Sequence, residues 1–149
     1  MYKYDYDKGV LLFESNRTTY SLQLRPRITV ITGDTSTGKT FLVNSIIAEK
    51  KIATQLDANV LKNVFIFNGA LPDDIEGLVI IDKGDLVCSS KICEQILNTR
   101  KLHFLIFARG ITGLPLSPNY FGEFKTENNV VTIKYEFSER LWFSDLCNK

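Results

Sequence analysis

The 149-residue chain has only three cysteines, Cys88, Cys93 and Cys147, an odd number without C-x-x-C spacing. A disulfide framework or a zinc site needs another pattern, so reduced thiols are expected, with Cys88 and Cys93 as small buried side chains on or near a helix. Histidine is scarcer still: His103 stands alone at the start of an apolar run and is not expected to be catalytic. Net charge is nearly absent, at +1 from 18 basic and 17 acidic residues. That balance supplies no general attraction to nucleic acid or to a membrane surface. The short basic groups, Arg25 with Arg27, Lys50-Lys51 and Arg100-Lys101, read as solvated ends of elements. No apolar run approaches a membrane span, and the charged amino terminus has no signal core, so a cytoplasmic location is expected. Repeats, low-complexity tracts and linkers are absent, which leaves residues 1–149 as one domain large enough to bury a core.

Against these absences one stretch stands out. Residues 28–32 alternate β-branched side chains and read as a strand. Gly33-Asp34-Thr35-Ser36-Thr37-Gly38-Lys39-Thr40 follows, matching G-x-x-x-x-G-K-[ST] at each fixed position. Phe41, Leu42, Val43, Ile46 and Ile47 then have helical spacing, to about Lys51. Strand, loop and helix in this order form the setting of a phosphate-binding loop. Gly33 and Gly38 let the backbone turn so that successive N–H groups point at an anion. Lys39 is placed to reach the β- and γ-phosphates, the Thr40 hydroxyl to ligate Mg²⁺, and residues 33–41 through Phe41 form the expected nucleotide-binding set.

The second informative run is Leu78-Val79-Ile80-Ile81-Asp82. It has no polar alternation, as in a strand covered on both faces, and it ends in a carboxylate where ligands sit in open α/β sheets. Asp82 is therefore a candidate Mg²⁺ residue with Thr40. Asp85, three residues on, lines the same site or caps the next helix. A third apolar run, residues 102–108, ends at Arg109, a cation placed to sense a γ-phosphate or to act across an oligomer interface. Lys39, Asp85 and Arg109 are the candidate catalytic residues.

The rest of the chain reads as framework. Residues 1–27 suggest antiparallel strands, with a turn at Ser15-Asn16-Arg17 and a break at Pro26. Tyr2, Tyr4 and Tyr6 alternate as on an edge strand; stacking on an adenine ring is the other reading. Residues 63–67 suggest a further strand, and Asp73, Asp74 and Glu76 read as solvated cap residues. Helical spacing returns over residues 88–100. Residues 110–119 form a turn-rich loop suited to cover a nucleotide, and 120–137 read as a hairpin turning at Glu127-Asn128-Asn129. Trp142 and Phe143 would dock the tail.

With these motifs the chain resembles the P-loop NTPases, in the branch containing the ABC-type and AAA-type ATPases, and is similar to short bacterial ATP-binding proteins. Residues 64–67 fill the place of that branch's strand inserted between the Walker A and Walker B strands. The resemblance implies a three-layer α/β fold with a mostly parallel central sheet, plus antiparallel N-terminal strands and a C-terminal β-hairpin. It also implies ATP and Mg²⁺ as cofactors, Ile80-Ile81-Asp82 as a Walker B strand, and Arg109 as a sensor. The chain departs from the pattern where Lys83 replaces the usual Glu after the Walker B Asp. Leu-Ser-Gly-Gly and the guanine-specifying N-K-x-D are both missing, and there is no room for a helical lid. A slow or partner-activated ATPase is the leading expectation. A non-hydrolysing nucleotide-dependent interaction module, working through a homo-oligomer or a protein partner, is the alternative, and a small-molecule kinase the third.

Overall fold

A computed structural model describes residues 3–15, 17–25, 27–33, 38–56, 61–109 and 120–135. Nine strands run in chain order: β1 (Lys3–Asp5), β2 (Val10–Glu14), β3 (Thr19–Gln23), β4 (Ile28–Thr32), β5 (Val64–Ile66), β6 (Gly77–Ile81), β7 (Leu102–Phe107), β8 (Tyr120–Glu127) and β9 (Val130–Tyr135). Three helices accompany them among the described residues: α1 (Lys39–Gln55), α2 (Gly84–Val87) and α3 (Ser90–Asn98). All nine strands join one sheet in the order β1-β2-β3-β9-β8-β4-β7-β6-β5. Antiparallel pairs join β1 to β2, β2 to β3 and β8 to β9, and the remaining neighbours are parallel.

This corrects the expected architecture. A three-layer α/β P-loop NTPase fold with a mostly parallel central sheet is not what forms. The sheet is a mixed one that rolls into a nearly closed barrel with few helices. Its two edge strands approach each other, for the Asn63 amide just before β5 donates to the Tyr4 carbonyl of β1 at 3.0 Å. The physical reason lies in what covers each face. Along β6 and β7, side chains alternate between two cores, as the strand period of two requires. Leu78, Ile80, Leu105 and Phe107 face a cluster built from Leu42, Val43 and Ile46 of α1 and from Leu11, Phe13, Tyr20 and Leu22 of β2 and β3. The sheet thus curls round α1, and its own antiparallel strands supply cover that a helical layer was expected to give. Val79, Ile81, Phe104 and Ile106 face the other way, onto Cys88 at the end of α2 and Cys93 and Ile96 of α3. Apolar runs buried on both faces were read correctly; the identity of the cover was not.

Local chemistry explains the boundaries. Ser89 caps α3, its hydroxyl accepting from the Ile92 N–H at 3.3 Å. Asn128 and Asn129 take positive φ values of 52° and 66°, matching the tight turn that joins β8 to β9. A Cβ at Gly84 would collide with the Ile106 side chain, so α2 can lie directly on β7 only with glycine there. That close approach fixes the 82–85 segment against the sheet.

Candidate functional site

Strand register brings three chain segments to one end of the sheet. Ile31 of β4 lies opposite Phe107 of β7, and Ile81 of β6 opposite Ile106. Gly33, Asp82 and Arg109 each follow within two residues of those positions and emerge at the same edge. The Ala108 N–H donates to the Ile31 carbonyl at 3.0 Å, holding β7 to β4 up to the residue before Arg109.

A pocket of about 300 Å³ opens between these ends, lined by Lys39, Thr40, Asp82, Lys83, Asp85, Leu86, Phe107, Ala108 and Arg109. The structure therefore gathers Lys39, Thr40, Asp82, Asp85 and Arg109, drawn from three separate stretches of sequence, around one cavity. Lys39 is buried, 7% exposed, and its ammonium donates to the Gly33 carbonyl at 2.9 Å, spanning the loop that connects the two. Gly38 precedes it at φ 90°, a left-handed conformation that glycine adopts without strain. Asp34, Thr35, Ser36 and Thr37 lie outside the described residues, as do the 110–119 loop, Tyr2, Trp142, Phe143 and Cys147.

At the end of β6 the Asp82 carboxylate accepts from the Lys83 N–H at 3.0 Å. Lys83 itself is exposed and held at φ 56°, in the left-handed region that a lysine rarely occupies. Asp85 sits in the first turn of α2 and pairs with Arg109, Nε to Oδ2 at 2.9 Å. It lines the pocket, and the cap of α3 is Ser89. Burial works to raise the Asp85 carboxyl, but the hydrogen bond and positive charge of Arg109 outweigh it and hold the group below the ordinary carboxylate range. Such a carboxylate stays ionised and is a weak base.

Among the described residues, the side-chain oxygens on this pocket wall are the carboxylates of Asp82 and Asp85 and the Thr40 hydroxyl. Among the described residues no group of three His, Cys, Asp or Glu side chains forms a metal cage. Mg²⁺ does not need one: it is commonly held by one or two carboxylates together with substrate phosphates. Thr40 and Asp82 fit that donor set.

Phe41 is not brought into the pocket. It is 52% exposed and lines a separate hollow of about 680 Å³ between α1 and the turn joining β2 to β3, with Arg17 and Glu49. Tyr4, Tyr6 and His103 lie at the far end of the sheet. Tyr4 hydrogen-bonds His103 Nδ1, and Tyr6 stacks on the same ring at 4.1 Å, so neither tyrosine is near the Lys39 pocket. Cys88 and Cys93 are buried free thiols, and burial, first, with the neighbouring Cys93 pushes Cys88 up to about 12. Sequence reasoning missed Leu86 and Phe107 as lining residues and Tyr20 as a neighbour of the loop; only the run containing Phe107 carried a signal, since its position before Arg109 put it at the strand end.

Set against protein-family models, curated proteins and solved structures, the chain matches none. Among the described residues no helix is long and apolar enough to cross a membrane.

Proposed function

We propose that this chain binds a nucleoside triphosphate, ATP with Mg²⁺, through its P-loop, and that it is a slow or partner-activated ATPase. The observation that carries the reading is the convergence of Lys39, Thr40, Asp82, Asp85 and Arg109 on one pocket at the strand ends. Each was singled out by its place in the sequence, and a pocket lined by all five is what phosphate chemistry requires. Lys39 and Arg109 supply positive charge to the β- and γ-phosphates, and backbone N–H groups at the start of α1 add their dipoles. Thr40 and Asp82 hold the cation, which when bound neutralises charge developing on the transferred phosphoryl group.

The non-hydrolysing reading has its own support. Lys83 stands where related ATPases carry a glutamate, and Asp85 is committed to Arg109 as a low-pKa anion. Neither side chain is suited to take a proton from water, which accounts for slow turnover or for its absence without a partner. Absence of N-K-x-D is the reason for preferring ATP over GTP.

The test is a binding titration with ATP and Mg²⁺ beside a phosphate-release assay on wild type, Lys39→Ala and Asp82→Ala. Lys39→Ala is expected to weaken binding at least about 30-fold, in line with losing a buried charge-assisted contact. Asp82→Ala is expected to lose mainly the dependence of affinity on Mg²⁺. Metal dependence surviving in Asp82→Ala would sink the metal assignment, and wild-type protein that binds no nucleotide would sink the reading. Binding without phosphate release would select the interaction-module form.

A further inference from the structure

Tyr20 lies on β3, outside every motif that marks the site, and it is 2% exposed. Its hydroxyl donates across 18 residues of sequence to the Gly38 carbonyl at 3.1 Å. That carbonyl also receives the first intrahelical bond of α1, from the Leu42 N–H at 3.1 Å. One acceptor thus joins the start of α1 to a strand of the antiparallel ribbon. Gly38 fits this contact closely, because a Cβ there would stand 3.2 Å from the Tyr20 oxygen while the backbone is at φ +90°.

The contact has an unusual place in the helix. α1 has Gly38 at its N-cap and, among the described residues, no side-chain cap, whereas α3 starts with the Ser89 hydroxyl bound to the Ile92 N–H. A Ser, Thr or Asp cap occupies an N–H of the first turn. Those N–H groups are the ones an anion needs at a helix N-terminus. Tyr20 holds the same turn by its carbonyl and so fixes the backbone without drawing on those donors. The ring is itself fixed: it packs on Phe124 of β8 with centroids 5.9 Å apart, and Phe124 packs edge-on against Phe107 at 5.6 Å. Phe107 lines the Lys39 pocket. A row of three aromatic rings therefore runs from the Gly38 carbonyl to the pocket wall at Phe107.

We propose that Tyr20 is a positioning residue for the phosphate site, setting the orientation of the Gly38 peptide and with it the first-turn N–H groups and Lys39. The inference rests on the nucleotide reading above for its functional consequence, and on geometry alone for the tether. It predicts that the Tyr20 hydroxyl governs affinity for the phosphate chain, with no dependence on the base.

The experiment compares Tyr20→Phe with wild type, using Tyr4→Phe as a control that deletes another buried tyrosine hydroxyl at the far end of the sheet. Affinities for ATP–Mg²⁺ and for inorganic tripolyphosphate with Mg²⁺ are measured, together with amide hydrogen exchange at Leu42. Tyr20→Phe is expected to weaken both ligands equally, by about three- to tenfold, the range of one net hydrogen bond. Leu42 exchange should quicken in Tyr20→Phe alone, and Tyr4→Phe should change neither affinity nor Leu42 exchange while losing thermal stability. Wild-type affinities in Tyr20→Phe, or an equal loss in Tyr4→Phe, would overturn the positioning role. If wild type binds neither ligand, the nucleotide reading fails and the exchange arm still decides the tether: unchanged Leu42 exchange overturns it, and faster exchange upholds it.

Discussion

The two ends of the sheet use polar side chains in opposite ways. At the N-terminal ends of β5 and β7 they close the fold. Arg27 reaches 69 to 75 residues ahead to donate to the carbonyls of Ile96, Thr99 and Leu102, the nearest at 2.8 Å. Tyr4 and Tyr6 clamp His103 between a hydrogen bond and a stacked ring, and the Tyr6 hydroxyl donates to the Lys101 carbonyl at 2.6 Å. At the C-terminal ends of β4, β6 and β7, polar groups surround a cavity instead, and their hydrogen bonds run to their own loops or to a solvent-facing partner. One end is tied shut by its polar groups, and the other leaves them around an open cavity. The difference teaches where a mutation should register as stability and where as binding.

Arg27 offers the largest effect. No basic residue occupies the last turn of α3 itself, and the Arg27 guanidinium brings both side-chain hydrogen-bond donors and positive charge to that helix terminus, where Arg100 adds a second charge. Removing Arg27 takes the guanidinium donor from partly buried carbonyls, leaving Ile96 and Thr99 only their long backbone bonds from the Thr99 and Leu102 N–H groups at 3.3 and 3.4 Å. Arg27→Ala should lower unfolding free energy by about 2–3 kcal/mol, read from urea titration, while ATP affinity under native conditions stays within about twofold. Lys39→Ala should show the reverse pattern, with affinity lost and stability kept. If Arg27→Ala weakened binding as much as Lys39→Ala, the division between the two ends would not hold.

His103 gives a smaller effect that has a signature in pH. Burial, first, and the nearby Arg27 charge lower its pKa from the ordinary histidine value near 6.5. Tyr4 shifts upward, chiefly by burial with Tyr6 and Asp5 adding to it, so both partners are neutral at pH 7 and share one hydrogen bond between the Tyr4 hydroxyl and His103 Nδ1. Tyr4 from β1, Tyr6 beyond it and Arg27 before β4 are the titratable and charged groups that bear on the ring. A lowered folded-state pKa means that the unfolded chain binds the proton more readily. Stability from this group is therefore complete above about pH 6.5 and is lost as pH falls from there through the lowered value. Thermal midpoints taken from pH 7.5 to 5 should show that decline in wild type, and His103→Gln, which can donate or accept a hydrogen bond but cannot titrate, should flatten it. An unchanged slope in the variant would remove His103 from the seam's pH response.

What the sequence disclosed follows from the range of the interactions involved. That Gly33, Asp82 and Arg109 emerge at one edge was legible because an apolar run that stops abruptly marks a strand end, and strand ends of parallel neighbours share an edge. Asn128-Asn129 was legible because the turn between β8 and β9 is set by two adjacent residues. The curl of the sheet was not. It depends on Thr19 and Tyr20 of β3 meeting Val130 and Val131 of β9, a pairing between distant segments that neither segment's own alternation announces. Arg27 as a distant helix cap and Tyr20 as a tether escaped for the same reason: each is one bond between residues far apart in the chain, and a lone Arg or Tyr in a strand-like stretch looks the same without it.

The smallest effect on stability, and the sharpest test of the binding end, comes from Asp85. Its pair with Arg109 leaves the arginine side chain 68% exposed, so solvent screens the attraction. The Asp85 pKa is depressed, so its contribution is present above the ordinary carboxylate value near 3.9 and is lost only as pH falls through the lowered value. At neutral pH, Asp85→Asn should cost at most about 0.5 kcal/mol of unfolding free energy. Binding should move the other way. The substitution removes a negative charge from the pocket wall and releases the guanidinium from a competing carboxylate, so ATP–Mg²⁺ should bind about two- to fivefold more tightly, with the gain shrinking as salt is added. Arg109→Ala should weaken binding, and the double variant should show no benefit from Asp85→Asn, since the benefit acts through the arginine. Weaker binding in Asp85→Asn would instead mean that the carboxylate holds Arg109 in its working position, and a stability loss as large as that of Arg27→Ala would make this end of the sheet as structural as the other.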